Sequence, residues 1–291
     1  MMIKILNIKT GLLILLVAVV SSCTEIIDMK FTTDFERLVV DAQILDRDTV
    51  QYVKLYKINL DNEESIVSPI ADASVVVNDG ANDIIFNEST VIGLYVAPKD
   101  FVGEYGKTYS LTMKNTRVLG VDKSDTYIAS AIMGDSLVFD STTYDYIYLP
   151  HMRLAGFNLK CWAWDPPERN YYLFKAWKNG VILTDTLYEY AQSDDAIFNG
   201  TYIAGADCQF LSDYKADEYV VVGDTITLEI DNIDKDYFDY LNSAQSDIRI
   251  SNPMFGGPPA NVVTNISNGA VGIFRVFSVS KSSVIVKEGI R

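Results

Sequence analysis

The chain has 291 residues, a formal net charge of −15 and many aromatic side chains, including 18 Tyr and 13 Phe. That acidity excludes a grip on nucleic acid, which needs clustered Lys and Arg against phosphate. It also excludes a charge-driven hold on anionic lipid. The length allows two domains, each with a core of its own.

Residues 1–22 read as a lipoprotein signal peptide. Lys4 and Lys9 lie in a short basic head, Gly11 to Val20 is an unbroken apolar run, and small residues precede Cys23. The run is too short to cross about 30 Å of hydrocarbon as a permanent helix. Val20-Ser21-Ser22-Cys23 is similar to the lipobox of bacterial lipoproteins, in which the cysteine becomes the acylated mature N-terminus, so Cys23 is the expected lipidation site. The alternative is an ordinary signal peptide with an incidental cysteine. Cleavage would remove two lysines and no acid, which deepens the net charge from −15 to −17. Residues 23–34 then form the lipidated N-terminus and a spacer.

From Phe35 the chain falls into short β-branched and aromatic runs separated by turn residues, which predicts strands rather than βαβ units. Arg37–Leu45, Val50–Ile58, Ser74–Val77, Ile84–Asn87, Gly93–Ala97 and Tyr109–Lys114 are such runs. Asn78-Asp79-Gly80 supplies residues that tolerate positive φ, as a tight hairpin requires. Gly106-Lys107-Thr108-Tyr109 has the form of a tyrosine corner, in which the hydroxyl bonds the backbone just upstream. Ile70–Val75 followed by Gly93-Leu94-Tyr95 resembles small immunoglobulin-like modules. Residues 35–131 are therefore expected to form an immunoglobulin-like β-sandwich.

Residues 132–291 are expected to form a second β-rich domain with one helix. Met152–Trp164 predicts a long strand with Trp162 and Trp164 on one face and Cys161 on the other. Asp165-Pro166-Pro167 ends it, because proline cannot donate to a ladder. Asn170–Lys178, Asn179-Gly180 and Val181–Leu187 predict a hairpin with a type I′ turn. Val220–Ile230 reads as a pair of strand-like runs. Asp234 is placed to cap a helix over Lys235–Asp247, with Phe238 and Leu241 on its apolar side. Ala270–Val286 reads as two terminal strands. The fold class is thus mainly β.

Catalytic signatures are sparse, and no catalytic residue is assigned. His151 is the only histidine, no nucleophile elbow is present, and a lone loop histidine is ordinarily plain surface. One histidine and two cysteines beyond the anchor are too few for a four-ligand zinc site. Asp231-Asn232-Ile233-Asp234-Lys235-Asp236 lacks the glycine and glutamate of a calcium loop and reads better as a helix cap. No metal or cofactor is expected. Cys161 and Cys208 are either a disulfide, worth about 2–4 kcal/mol outside the cytoplasm, or two buried thiols. Trp162, Trp164, Trp177, Tyr171 and Tyr172 are expected to fill the core of the second domain rather than form an exposed stacking surface.

The closing segment Asn252 to Asn261, then Asn265-Ile266, Gly272-Ile273-Phe274 and Phe277-Ser278-Val279, carries a family resemblance. Asp135-Ser136-Leu137, Asp165-Pro166-Pro167 with Asn170-Tyr171-Tyr172, and Tyr237-Phe238-Asp239-Tyr240 agree with it. The sequence resembles domain-of-unknown-function family 4249, a set of Bacteroidota cell-envelope lipoproteins. The resemblance implies an outer-membrane lipoprotein encoded beside a TonB-dependent receptor, and hence a non-enzymatic accessory or ligand-binding subunit held by an acyl anchor. Glu25 and Asp28 partly resemble the acidic pattern that accompanies export to the cell surface in Bacteroidota, with the periplasmic face as the alternative. A structural or adhesive envelope protein and an extracellular polymer hydrolase are the rival readings. No motif identifies the ligand. Replacing Cys23 by Ala is expected to move the folded protein from the membrane pellet to the soluble fraction, read by fractionation of cells.

Overall fold

The structure, a computed structural model, describes residues 36–60, 65–118, 125–250 and 262–288. The signal peptide, Cys23, the spacer and the Pro/Gly-rich segment 252–261 lie outside the described residues. Within them the protein is mainly β, with one α-helix and two sheets.

The N-terminal half contains β1 (Glu36–Leu45), β2 (Tyr52–Leu60), β3 (Ser65–Pro69), β4 (Ser74–Asn78), β5 (Asp83–Glu88), β6 (Leu94–Val96), β7 (Thr108–Lys114) and β8 (Thr126–Ile132). Their two-residue periodicity is clean in β1, where Leu38, Val40, Ala42 and Ile44 all enter the core. Leu55, Val75, Val77, Phe86, Leu111 and Met113 meet them in a sandwich-like arrangement. Two tyrosine hydroxyls staple it. Tyr109 Oη accepts from Glu104 N at 2.7 Å, which is the expected tyrosine corner. Tyr95 Oη donates to Ile70 O at 2.8 Å and accepts from Ala73 N at 2.9 Å, joining the two segments singled out upstream. At the β4–β5 turn Gly80 has φ +92°, while Asn78 Oδ1 and Asp79 Oδ1 accept from backbone amides.

The second half adds β9 (Val138–Leu149), β10 (Leu154–Trp164), β11 (Tyr171–Lys178), β12 (Val181–Ile182), β13 (Ala191–Asp194), β14 (Tyr202–Ser212), β15 (Thr225–Ile233), α1 (Lys235–Ile250) and β16 (Val271–Ile285). Strands β14, β10 and β9 make a three-stranded sheet. All the others join one sheet in the order 12-11-15-16-1-2-6-5-4-7-8, with β13 on β11 and β3 on β2. Alternation along β11 and β15 separates two cores. Tyr172, Leu228 and Ile230 pack with Cys161, Ala163 and Ile203 against the small sheet. Leu173 and Ile233 pack on the other face with Tyr237 and Leu241 of α1. The expected boundary at 131/132 falls at the end of β8, and Asp34–Arg291 form one compact unit.

Several expected elements change. Val220–Asp224 is a turn rather than a strand, closed by Val221 N on Asp224 Oδ2. The hairpin at Asn179-Gly180 is present, with φ of +51° and +83°, but its second strand stops at Ile182. Residues 271–285 form one long strand rather than two. Parallel pairing with β1 runs from Val39↔Val271 to Leu45↔Phe277, and antiparallel pairing with β15 runs on to Thr225↔Ile285. Ser278 and Ser280, where the pairing passes from β1 to β15, are buried.

Gly272, the second residue of the parallel pairing, has a φ of +100°, and a Cβ there would sit 2.0 Å from Val40 O. Gly272→Ala is expected to cost about 3 kcal/mol or more through strain and forced separation of β1 from β16. Gly80→Ala, also at positive φ but with nothing within 4 Å, should cost about 1–2 kcal/mol. Urea unfolding midpoints of the two variants would separate these effects.

Candidate functional site

A cleft of about 400 Å³ opens where the two halves of the chain meet. Gly106 and three segments line it: Ile132–Asp135 at the end of β8, Glu168–Tyr171 at the start of β11, and Asn232–Lys235 where β15 passes into α1. Its size lies within the range of small-ligand sites.

The floor is a network of amides and carboxylates whose members are far apart in sequence. Asn232 Nδ2 donates to Asp135 O at 2.6 Å and to Asn170 Oδ1 at 2.5 Å. Asn170 in turn donates its backbone N–H to Asp195 Oδ2 at 2.7 Å and accepts from Asp195 N at 3.2 Å. A Cβ on Gly134 would meet Asn232 Nδ2 at 2.9 Å, so glycine lets that strand end lie against the amide. One step behind the floor, Tyr172 Oη donates to Asp165 Oδ1 at 2.5 Å and Gly200 N donates to Asp165 Oδ2 at 2.9 Å. Burial pushes the Asp165 carboxyl pKa up, and its two donors pull against that rise. The family landmarks around Asp135, Asp165 and Asn170 therefore meet in one place, each tied to a neighbour by a hydrogen bond that is buried at Asp165 and Asn170 and part-buried at Asp135.

Asp234 closes the inner wall. Its Oδ1 accepts from Tyr237 N at 2.8 Å, confirming the expected cap of α1. Burial raises its pKa to about 7, against the lowering effect of backbone donors from Tyr237 and Ile132. The rim is exposed and carries both signs, Asp135 and Glu168 beside Arg169 and Lys235. Arg169 Nη2 reaches Asp194 at 2.9 Å, and Lys235 Nζ reaches Asp239 at 2.5 Å. The arrangement suits recognition of a ligand by hydrogen bonding, with a rigid floor and a mixed-charge rim.

Cys161 and Cys208 are brought together on β10 and β14, both free and buried in one core. A hydrogen bond to Cys161 and burial raise the Cys208 thiol pKa. Both line a smaller cavity of about 80 Å³, separate from the cleft. His151 sits exposed in a short 3-10 turn, Pro150–Met152. The aromatic cluster divides, correcting the expectation of a common core. Tyr172 is buried, Tyr171 packs on Phe238 at 4.9 Å, and Trp177 lies under Lys281 at 4.2 Å. Trp162 and Trp164 instead face out of the three-stranded sheet, with Trp164 57% exposed.

A second polar cluster escaped sequence reasoning. Asp231 is fully buried in β15 and pairs with Lys175 at 2.5 Å, while Glu229 pairs with Lys175 at 3.3 Å and with Lys281 at 2.5 Å. Burial pushes the Asp231 carboxyl up to about 7 against the pull of Lys175. Asp231 and Asn232 thus point to opposite faces of a strand. Among the described residues no group of three or more His, Cys, Asp or Glu is arranged to hold a metal ion, and no helix is long and apolar enough to cross a membrane.

A family model described as Domain of unknown function (DUF4249) matches residues 24–283. No curated protein matches the sequence.

Asp234 makes the cleft sensitive to pH. The folded carboxyl holds its proton up to about pH 7, whereas the unfolded one releases it near 3.8. Between those values the folded state binds more protons, so this stabilising contribution is whole below pH 4 and lost as pH rises through 7. Asp234→Asn keeps a cap acceptor without the charge. Relative to wild type, the variant is expected to gain about 1–2 kcal/mol at pH 8 and nothing at pH 4. Chemical denaturation at the two pH values measures that difference, which also isolates Asp234 from Asp231.

Proposed function

The chain belongs to the DUF4249 family, and from that membership together with the cleft we propose a non-enzymatic accessory or ligand-binding subunit, anchored to the outer membrane through Cys23 beside a TonB-dependent receptor. The single observation that carries the binding part is the cleft of about 400 Å³, whose floor is fixed by Asn170, Asn232 and Asp195 and whose rim carries both signs of charge. A floor held by the Asn232–Asn170 and Asn170–Asp195 hydrogen bonds is preorganised, so a ligand need not order it on arrival. The rim charges face solvent and set which ligand is accepted. The receptor and membrane parts rest on family resemblance and on the lipobox-like Val20–Cys23. An acyl tether would raise the effective concentration of the subunit at a receptor and make weak contacts sufficient.

Affinity purification of the tagged, lipidated protein from native membranes is expected to recover a TonB-dependent receptor by mass spectrometry. Cys23→Ala should reduce that recovery at least about tenfold. Recovery of no such receptor, under conditions that keep a known lipoprotein–receptor pair intact, would overturn the accessory reading.

A further inference from the structure

The outward face of the β14–β10–β9 sheet carries aromatic rings where a solvated sheet ordinarily carries polar side chains. Alternation along β10 turns Phe157, Leu159, Cys161 and Ala163 inward and Trp162 and Trp164 outward. Trp164 pairs with Tyr202 on one side and Val138 on the other. Its ring lies 5.1 Å from that of Tyr202, and Trp164 and Val138 are 57% and 66% exposed. Trp162 lies one step along the same face, flanked by Ser141 and Ala204.

The rings are held in place. Trp162 Nε1 donates to Thr143 Oγ1 at 2.8 Å. Gly205, with φ +78°, leaves the space a side chain would take, since a Cβ there would approach the Trp162 ring to 2.8 Å. Tyr202 Oη donates to Asp140 Oδ2 at 2.8 Å. A surface of strand-borne, locked rings loses little entropy on binding.

We propose that this face is a binding platform for a neutral oligosaccharide, stacked across Trp162, Trp164 and Tyr202. A pyranose has a C–H face that packs on an aromatic ring and a rim of hydroxyls that both donate and accept. The platform offers the matching pattern of rings interleaved with Asp140, Thr143 and Ser141. Charge excludes the other occupants. An anionic ligand finds one cation on these rows, Lys160, already paired with Asp145 at 2.5 Å and Asp207 at 3.8 Å, on a chain of net charge −15. A basic peptide finds those carboxylates paired and Asp140 holding Tyr202. Charges beside the rings are also foreign to the centre of a protein interface, which is depleted of them. None of these residues lines the cleft, so the platform is a second surface and goes beyond the receptor reading.

The test uses the full-length chain in detergent, with no receptor present. Cellohexaose, laminarihexaose and mannohexaose are titrated against intrinsic tryptophan fluorescence and by calorimetry. At least one is expected to bind with Kd of about 1 mM or tighter. Trp164→Ala and Tyr202→Ala should each weaken binding about tenfold, while Trp164→Phe, which keeps a ring, should lose no more than about threefold. Asp234→Asn, in the cleft, should leave it unchanged. Failure of all three hexasaccharides to bind overturns the platform, as does binding that Trp164→Ala and Tyr202→Ala both leave intact. Binding of hexa-arginine in their place, abolished by Trp164→Ala, assigns the face to a basic peptide and overturns the glycan.

Discussion

Strand β16 ties the two halves of the protein together in series: Val271–Phe277 pair parallel with β1 and Ser278–Ile285 pair antiparallel with β15, so one strand supplies side chains to more than one core. Phe274 and Val276 complete the N-terminal core, while Ile273, Phe277 and Val279 complete the core beneath α1. Toward the three-stranded sheet, Ser280 Oγ donates to Leu137 O at 2.8 Å, and Thr142 Oγ1 reaches Ser282 O at 3.5 Å. The N-terminal core and the core beneath α1 therefore both borrow from this one strand. Pairing that strand with β1 closes a loop of nearly the whole described sequence, and loop entropy grows only slowly with length. The thermodynamic cost is modest, whereas the contact order is high and slows folding.

Register along this seam is guarded by charge. Arg275, on β16, bonds Asp41 at 2.7 Å, Tyr52 Oη at 2.8 Å and Gln43 at 3.1 Å, all from β1 and β2. Further along the same strand, Lys281 meets Glu229, which shares Lys175 with Asp231. Buried pairs of this kind stabilise less than apolar packing, but a lone buried partner is far worse, at about 3–5 kcal/mol. A one-residue slip of β16 turns every side chain to the opposite face and strands all of these charges at once. The pairs therefore penalise wrong registers more than they stabilise the right one.

What could be read in advance was local. Asn78-Asp79-Gly80 and Asn179-Gly180 announce turns because their backbone requirement is intrinsic to those residues. The corner at Tyr109 was legible because its bond to Glu104 spans five residues. The cap at Asp234 was legible for the same reason. Strand β14 was not, because two irregularities, at Gly205 and Cys208, break its period of two. The cleft was not legible either. Asn232 finds its partners 62 and 97 residues away, and nothing in a single sequence marks an asparagine as half of such a pair. The landmark residues around Asp135, Asp165 and Asn170 were visible as a pattern, but their shared purpose appears only when the fold brings them together.

That shared purpose bears on how binding can be divided over the molecule. Asn170, Asn232 and Asp195 are bonded to one another and Asp165 to Tyr172 and Gly200, so exchanging a ligand for these internal bonds would leave buried groups unpaired at about 1–3 kcal/mol each. Their role is to hold the cleft open, and selection falls to the exposed side chains around it. The outward face of β10 has the opposite balance. Its polar groups pin rings in place, but ring surface on Trp164 stays wet, and covering apolar surface is where a flat site gains affinity. A chain of net charge −15 is poorly placed to gain that affinity from charge. Shape, hydroxyl-matching acceptors and aromatic area are the means that the sequence has kept at its surface, and both surfaces depend on strands that β16 fixes in register.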